Sequence, residues 1–237
     1  MLIERLPRRG CRALRAALLV TLFLGAAPAV LHAQALFERF NMAVAADRTD
    51  EVAALLARGM DPNTVDLNGD PALVVAARLG YEATLDTLLR GGAKVNARNR
   101  VGDSAIMIAA IGGQLAIVKK LVARGAEINA TGWTPLIYAA TGGRDEVVRY
   151  LIEAGAKVDA EGPNRTTALM MAVRGGHADT VSLLLAKGAS VNHRNEDGAS
   201  ALAWAQRGGF ESIEKDLRRR GAREEPAVAR RRPVAAK

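Results

Sequence analysis

Small and apolar residues recur along the chain in pairs of short segments separated by glycine. The first segment of each pair is almost entirely small or apolar, as in residues 72–77, 105–110 and 135–140. The second carries apolar residues at i, i+1, i+4 and i+5, which form one stripe along a helix. Two such sets are Ile117, Val118, Leu121 and Val122, and Val147, Val148, Leu151 and Ile152. The pattern therefore predicts pairs of short helices, the second of them amphipathic.

Glycine marks both ends of the second segment. Pairs such as Gly112-Gly113 and Gly142-Gly143 precede it, and glycine tolerates the positive φ that closes a helix. A Gly-Ala pair then follows it at 92, 125, 155, 188 and 221, in steps of 33, 30, 33 and 33 residues. The motif continues as Gly-Ala-x-(Val/Ile)-(Asn/Asp), which predicts a hairpin-like finger after each helix pair. A fixed period of this size indicates stacked repeats that share one continuous core.

These units resemble the ankyrin repeat family across residues 36–222. The resemblance rests on the period, the recurring Gly-Ala closure and one intact start, Thr134-Pro135-Leu136. It implies an all-α repeat solenoid: an ankyrin-repeat array of helix-turn-helix units with hairpin-like fingers. The 30-residue step shortens the finger between Asn129 and Gly132 by three residues. The histidine that the family has in its start is replaced in these units by Val74, Met107, Ile137, Met170 and Ala203.

The array is expected to begin and end with atypical units, about six units in all. Residues 36–66 form a degenerate first unit, with Phe37, Phe40 and Met42 leading its first helix. Residues 197–222 form the last unit, whose second helix is far more charged than its counterparts. Terminal repeats need a polar outer face, so both units are predicted to be caps.

Residues 1–35 are predicted to be a signal peptide. Arginines precede a nine-residue apolar run at 16–24, which is too short to favour a membrane span, and Ala33-Gln34-Ala35 supplies a cleavage pattern. We expect cleavage after Ala35 or, failing that, Ala33, by the general secretion route, with the Arg8-Arg9 pair leaving the twin-arginine route open. The only cysteine lies before the apolar run. The leader therefore predicts a periplasmic or secreted protein whose mature chain has no cysteine.

The net charge of +8 is concentrated at the two ends of the chain. The leader has five arginines and one glutamate, and residues 218–237 have eight basic and two acidic residues. The remaining residues, 36–217, have 20 basic and 22 acidic residues, so the repeat surface is close to neutral. Residues 223–237 combine proline and arginine with little apolar content, which predicts a basic disordered tail.

The mature chain offers little for catalysis or metal binding. Its only histidines are His177 and His193. A zinc site needs three or four convergent ligands, and a Ser-His-Asp system needs a histidine beside a nucleophile. His177 is predicted to begin a helix and His193 to be solvated on a finger. We therefore expect no enzymatic activity, no cofactor and no metal.

What remains is a recognition surface. In the family that the chain resembles, partners meet the concave face, which is formed by the finger tips and the outward side of the first helices. The resemblance carries this face over to Leu67, Asn68, Asp70, Arg78, Leu79, Arg100, Asp103, Ile111, Trp133, Thr141, Asn164, Thr166, Arg174, Glu196, Asp197 and Arg207.

Trp133 is the most distinctive member of this set, because the chain has only two tryptophans. One interpretation is a binding anchor, since Trp and Arg dominate interface hot spots. The other is that its ring fills space over the shortened finger. Arg78, Arg174 and Arg207 occupy one position of the unit, and predict either a basic row along the groove or separate solvated charges.

Five further residues are expected to pack in the core rather than to bind. Tyr138 and Trp204 lie two positions after the leucine of their first helices. Met107 and Met170 lie one position after it, and Met171 shares the position of the two aromatic residues.

Together these features predict a non-enzymatic monomer that binds another protein through its concave groove. The alternative places the function in the basic clusters 218–220 and 230–232, which would tether the protein to anionic membrane lipid or to acidic surfaces. Nucleic acid is not expected as a partner, because no aromatic residues accompany the basic ones.

Overall fold

The helix pairs expected from the sequence are present throughout the described chain. The computed structural model describes residues 32–224. Within this range the helices are α1 (32–45), α2 (Thr49–Ala57), α3 (Ala72–Leu79), α4 (Glu82–Arg90), α5 (Ala105–Gly112), α6 (Leu115–Ala123), α7 (Pro135–Thr141), α8 (Asp145–Glu153), α9 (Ala168–Arg174), α10 (Ala178–Ala186), α11 (Ala201–Gly208) and α12 (Glu211–Arg219). A single 3-10 turn spans Pro163–Arg165. The fold is therefore an all-α repeat array.

The helices form two layers. The first helices of successive units, from α3 to α11, contact one another in order, and the second helices, from α2 to α12, form a parallel row behind them. The paired alanines of the first helices, such as Ala76-Ala77 and Ala109-Ala110, are fully buried, so neighbouring backbones approach closely. The core runs the length of the array between the layers. We use "concave face" for the outward side of the first helices together with the finger tips.

The boundaries of the first helices follow from local chemistry. The side chains of Thr134, Thr167 and Ser200 accept a hydrogen bond from the backbone N–H three residues later, at 3.3, 3.5 and 3.2 Å. These hydroxyls satisfy N–H groups that a helix leaves unpaired at its start. At the other end, Gly80 and Gly113 adopt the left-handed conformation, at φ 80° and 77°, which ends the helix.

A ladder of side-chain hydrogen bonds joins each finger to the next. It is formed by the last residue of the Gly-Ala-x-(Val/Ile)-(Asn/Asp) motif and its equivalent in the first unit. The carbonyl or carboxylate oxygen of this residue accepts from a backbone N–H one unit later: Asn63 from Lys94 (2.8 Å), Asn96 from Glu127 (2.9 Å), Asn129 from Lys157 (2.8 Å), Asp159 from Ser190 (2.9 Å) and Asn192 from Arg223 (2.9 Å). The Asn or Asp of the closure is thus an inter-unit contact.

A second set of contacts joins the turns between the two helices of neighbouring units. The residue that follows the glycine turn reaches back to the last carbonyls of the preceding first helix. The bonds run from Gln114 Nε2 to the Arg78 carbonyl (3.4 Å), from Arg144 Nε to the Ile111 carbonyl (2.9 Å) and between His177 Nε2 and the Thr141 carbonyl (2.9 Å). His177 is also the residue that precedes α10, which confirms its structural role.

The two middle fingers are irregular. The three regular fingers of the described chain each contain one antiparallel bridge. These bridges join Val65 with Pro71, Arg98 with Ser104 and Arg194 with Ser200. The shortened finger before α7 has no such bridge among the described residues. The finger before α9 instead contains the 3-10 turn, in which Asn164 and Arg165 take φ values of 58° and 56°. The deletion and the turn are neighbours at the centre of the array.

Both terminal units have the character of caps. In α1, Phe40 is fully buried whereas Met42 is largely exposed. In α12 only Ile213 and Leu217 are buried, and the remainder of the helix is polar. The predicted cleavage positions lie at the start of α1, while the rest of the predicted leader, through residue 31, lies outside the described residues. The tail from residue 225 onward lies outside them as well.

Candidate protein-binding surface

The structure exposes most of the predicted surface residues. The exposed members are Leu67, Asn68, Arg78, Leu79, Arg100, Trp133, Asn164, Arg174, Glu196, Asp197 and Arg207. Asp103, Ile111 and Thr141 are half-buried. Two expectations were wrong, because the side chains of Asp70 and Thr166 are buried. These two lie at the same position of their units, where the chain turns from the finger into the first helix.

Three rows of side chains run along the concave face, each with one residue per unit. The turn row consists of Asp70, Asp103, Trp133, Thr166 and Ala199. The mid-helix row consists of Val75, Ile108, Tyr138, Met171 and Trp204. The helix-end row consists of Arg78, Ile111, Thr141, Arg174 and Arg207. The chemistry of these rows changes from one unit to the next, so the face is divided into distinct regions.

Near the N-terminal end, the turn row and the helix-end row form an ion pair. Arg78 Nη1 lies 2.7 Å from Asp70 Oδ2, and Asn99 Nδ2 donates to Asp70 Oδ1 at 2.9 Å. The Arg78 guanidinium, with the Asn99 amide, holds the pKa of the Asp70 carboxyl below its usual value despite burial. The predicted basic row is therefore wrong at this position, since Arg78 is neutralised within its own unit.

At the centre, Trp133 packs on Tyr138. The two rings meet edge to face, with centroids 6.2 Å apart, an arrangement that aromatic pairs favour. On its other side the Trp133 ring adjoins the irregular finger, where a Cβ placed on Gly162 would lie 3.4 Å from Cε3. The ring nevertheless remains 37% exposed. Trp133 thus combines both interpretations: it fills space between the two irregular fingers and presents a surface to solvent.

Tyr138 packs against the core as expected, but the core does not enclose it. It is half-buried, and its hydroxyl donates to Asp103 of the preceding unit. Burial, together with the Asp103 carboxylate, raises the pKa of Tyr138 above its ordinary value. Together with Ile111, Thr141 and Met171, the two rings line a recess of about 150 Å³. The centre of the concave face is therefore an aromatic recess with an acidic neighbour.

Trp204 likewise packs against the core and is half-buried at the C-terminal end of the face. It lines a recess of about 400 Å³ together with Arg174, Arg207 and Phe210. The methionines, by contrast, are confirmed as packing residues: Met107, Met170 and Met171 are all buried.

An apolar recess that the sequence did not indicate lies at the N-terminal end. It has a volume of about 500 Å³ and is lined mainly by α1 and the first finger, including Phe37, Met42, Leu67 and Val75. Leu67 is 86% exposed and Met42 is 60% exposed. The position of α1 relative to this finger could not be read from the degenerate first unit, so the recess was missed.

The acidic residues and histidines of the described chain do not converge on a metal site. No group of three or more His, Cys, Asp or Glu side chains within residues 32–224 is arranged to hold a metal ion. His193 was expected to be solvated, but this prediction is wrong. Its Nε2 lies 2.7 Å from the Arg165 carbonyl oxygen, and its side chain is only 13% exposed. In the same range none of the helices combines the length and apolarity needed to cross a membrane.

Stacked helix pairs joined by a finger ladder, with an open face divided into recesses, define a helical repeat solenoid. Comparison of the sequence with family models then specifies which kind. The model described as Ankyrin repeats (3 copies) matches residues 87–162 and 158–223, and that described as Ankyrin repeat matches residues 68–100. The chain therefore belongs to the ankyrin-repeat family. Such repeats generally mediate protein–protein interaction and are typically non-enzymatic. No curated protein matches the chain.

Proposed function

We propose that this protein is a periplasmic or secreted recognition module that binds another protein through the concave face. The observation that carries the proposal is the exposure of Trp133 beside the aromatic recess, on a face that also presents Leu67 and Val101. These two side chains are 86% and 80% exposed. Tryptophan is enriched among the residues that dominate protein–protein interfaces, so an exposed Trp133 beside a recess is the strongest candidate anchor.

The stacked fold suits rigid recognition. Finger contacts connect each unit to the next, and turn contacts reinforce three of these junctions, so the surface is formed before the partner arrives. Preorganisation of this kind reduces the ordering cost of association. A few buried anchors then supply most of the affinity, and a tryptophan at the centre of an interface is a frequent anchor.

Site-specific photo-cross-linking tests the proposal. A photoreactive amino acid replaces either Ile111, in the aromatic recess, or Arg149, which is exposed on α8. We expect one discrete cross-linked protein from the first position and none from the second. With that protein purified, Trp133→Ala should weaken binding about 30-fold, the equivalent of 2 kcal/mol. Equal cross-linking from both positions, or unchanged affinity of Trp133→Ala beside an Arg149→Ala control, would contradict the proposal.

The location is proposed from the leader alone. The basic lead, short apolar run and Ala33-Gln34-Ala35 pattern support export followed by cleavage. Mass spectrometry of the protein recovered from a periplasmic fraction should give an N-terminus at Leu36 or Gln34. An intact Met1 terminus in the cytoplasmic fraction would overturn this part of the proposal.

The alternative, tethering through the basic C-terminal clusters, is weakened by ion pairs at the end of α12. Arg218 Nη2 lies 2.9 Å from Glu214 Oε1 and 2.7 Å from Glu224 Oε1, and Arg219 Nη2 lies 3.0 Å from Asp216 Oδ1. Carboxylates therefore neutralise two of the three arginines of the 218–220 cluster. The 230–232 cluster lies outside the described residues.

A further inference from the structure

The last two units of the concave face carry arginines that lack the acid found in an earlier unit. Arg78 is paired with Asp70, which precedes it by eight residues. The residue eight positions before Arg174 is Thr166, and the residue eight positions before Arg207 is Ala199. Within residues 32–224 neither Arg174 nor Arg207 has a carboxylate within ion-pair distance. Two adjacent members of the helix-end row thus expose guanidinium groups that no carboxylate of the described residues neutralises.

These arginines flank an aromatic site. Arg174 and Arg207 line the recess of about 400 Å³ in which Trp204 is half-buried, and Phe210 forms another wall. The Phe210 ring lies tightly against the turn that ends α9, since a Cβ on Gly176 would be 3.0 Å from its Cε1. The recess therefore combines two cationic groups with two apolar surfaces.

Phe210 itself breaks the pattern of the array. The equivalent residues of the three preceding units are Gln114, Arg144 and His177, each of which bonds a carbonyl of the preceding first helix. A phenylalanine makes no such bond. The last unit thus replaces a polar inter-unit contact with an apolar wall at the point where the two arginines lie.

We propose that the site formed by Arg174, Trp204, Arg207 and Phe210 binds an acidic segment of the partner protein. A carboxylate of the segment lies between the two guanidinium groups, and an adjacent apolar side chain packs on Trp204 and Phe210. Guanidinium groups form charge-assisted, often bidentate hydrogen bonds with carboxylates. The occupant is a polypeptide rather than a lipid surface, because a flat bilayer does not follow a concave face and the aromatic walls require a side chain. This inference rests on the proposed function and specifies its partner.

The test uses two fluorescein-labelled twelve-residue peptides, one alternating glutamate with leucine and the other alternating glutamine with leucine. Fluorescence anisotropy gives their affinities for the purified protein, for Arg174→Gln/Arg207→Gln and for the control Arg58→Gln/Arg149→Gln. The control removes the same charge from exposed arginines at the second helices. In a Trp133→Phe background, Trp204 is the only tryptophan of the chain, so its emission reports occupancy of this site directly.

We expect the glutamate peptide to bind the unmodified protein and the control variant with equal affinity. Its affinity for Arg174→Gln/Arg207→Gln should be at least tenfold weaker. Binding should also change the emission of Trp204. The glutamine peptide should bind at least tenfold more weakly. The proposal is overturned if the glutamate peptide does not bind, if the glutamine peptide binds equally well, or if the control variant loses as much affinity. Binding of phosphatidylglycerol vesicles that depends on Arg174 and Arg207 would also overturn it, in favour of a lipid.

The cross-linked partner separates this inference from the proposed function. If both Arg174→Gln/Arg207→Gln and Trp133→Ala lose the cross-link at Ile111, the acidic site and the groove function are both supported. Capture that persists in the arginine variant but fails in Trp133→Ala would reject the acidic site and leave the groove function standing. Capture that persists in both variants would reject both.

Discussion

The guanidinium of Arg78 closes over the carboxylate of Asp70, with Nη1 2.7 Å from Oδ2. The pair lies on the concave face, where Asp70 is buried and Arg78 is partly exposed. Its consequence is that the charge of Arg78 is neutralised within its own unit. Within residues 32–224, Arg174 and Arg207 of the same row have no such carboxylate partner, so the members of the helix-end row differ in their ion pairing.

The pair predicts a pH-dependent contribution to stability. Because the folded pKa of Asp70 is lowered, the contribution is present above the unfolded pKa of aspartate, about 4, and is lost as the pH falls through the folded pKa. Asp70→Asn should lower the free energy of unfolding at pH 7 by about 1 kcal/mol, an exposed-pair magnitude because Arg78 is partly solvated. Urea unfolding at pH 7, 5 and 3 should show this difference shrinking at pH 3.

Asp197→Asn is the matched control for this prediction. Asp197 lies exposed on a finger of the same face, and in the described chain its carboxylate has no bonding partner. Its substitution should leave the free energy of unfolding unchanged at all three pH values. A constant deficit of Asp70→Asn from pH 7 to pH 3 would show that the carboxylate charge is not the cause.

The hydroxyl of Tyr138 should lose its proton only at a higher pH than an ordinary tyrosine does. Burial and the hydrogen bond to Asp103 both disfavour the phenolate, so the pKa lies above the ordinary value of about 10. A titration followed by absorbance at 295 nm should contain a component beyond that value, absent from Tyr138→Phe. Asp103→Asn should shift this component to lower pH without removing it, because burial remains. A titration of Asp103→Asn identical to that of the unmodified protein would mean that the two groups do not interact.

Trp133 should contribute to folding as well as to binding. Trp133→Ala removes the edge-to-face contact with Tyr138, which is worth about 0.5–1.5 kcal/mol beyond the area buried. We expect a loss of about 1–3 kcal/mol in the free energy of unfolding, measured by circular dichroism in urea. Val101→Ala, at an exposed position of the same face, should change it by less than about 0.5 kcal/mol. If the two substitutions lowered the free energy of unfolding equally, the contact between Trp133 and Tyr138 would not stabilise the fold.

The helices were predictable because their apolar period is dictated by the two-layer stack. Tyr138 and Trp204 pack against the core but also line the groove, for a definite physical reason. Each lies two residues after a buried leucine, and two residues rotate a helix by about 200°, which is the opposite side. A residue there lines the concave face, where Met171 is buried but the larger rings of Tyr138 and Trp204 stay half-exposed, so aromatic character alone did not reveal their position.

The contacts between units were harder to predict from the sequence than the helices were. The bond from Asn129 to Lys157 and the bond from Tyr138 to Asp103 join residues far apart in the chain, and follow only once the stacking is known. The asparagine of the closure motif was a visible signal, since it recurred at the end of the Gly-Ala motif in several units. The pairing of Arg78 with Asp70 was not visible, because it depends on a finger folding back over its own helix.

The finger ladder should behave as an inter-unit contact in the folded array. Asn129 accepts from the Lys157 N–H at 2.8 Å and donates from Nδ2 to the Gly155 carbonyl at 2.9 Å. Asn129→Ala removes both bonds and should lower the free energy of unfolding by about 1–2 kcal/mol. Asn129→Asp keeps the acceptor alone, as Asp159 does naturally one unit later. Its free energy of unfolding should lie between that of the unmodified protein and that of Asn129→Ala. Urea unfolding followed at 222 nm measures the series, and Asn129→Ala as stable as Asn129→Asp would show that the ladder contributes nothing through its acceptor.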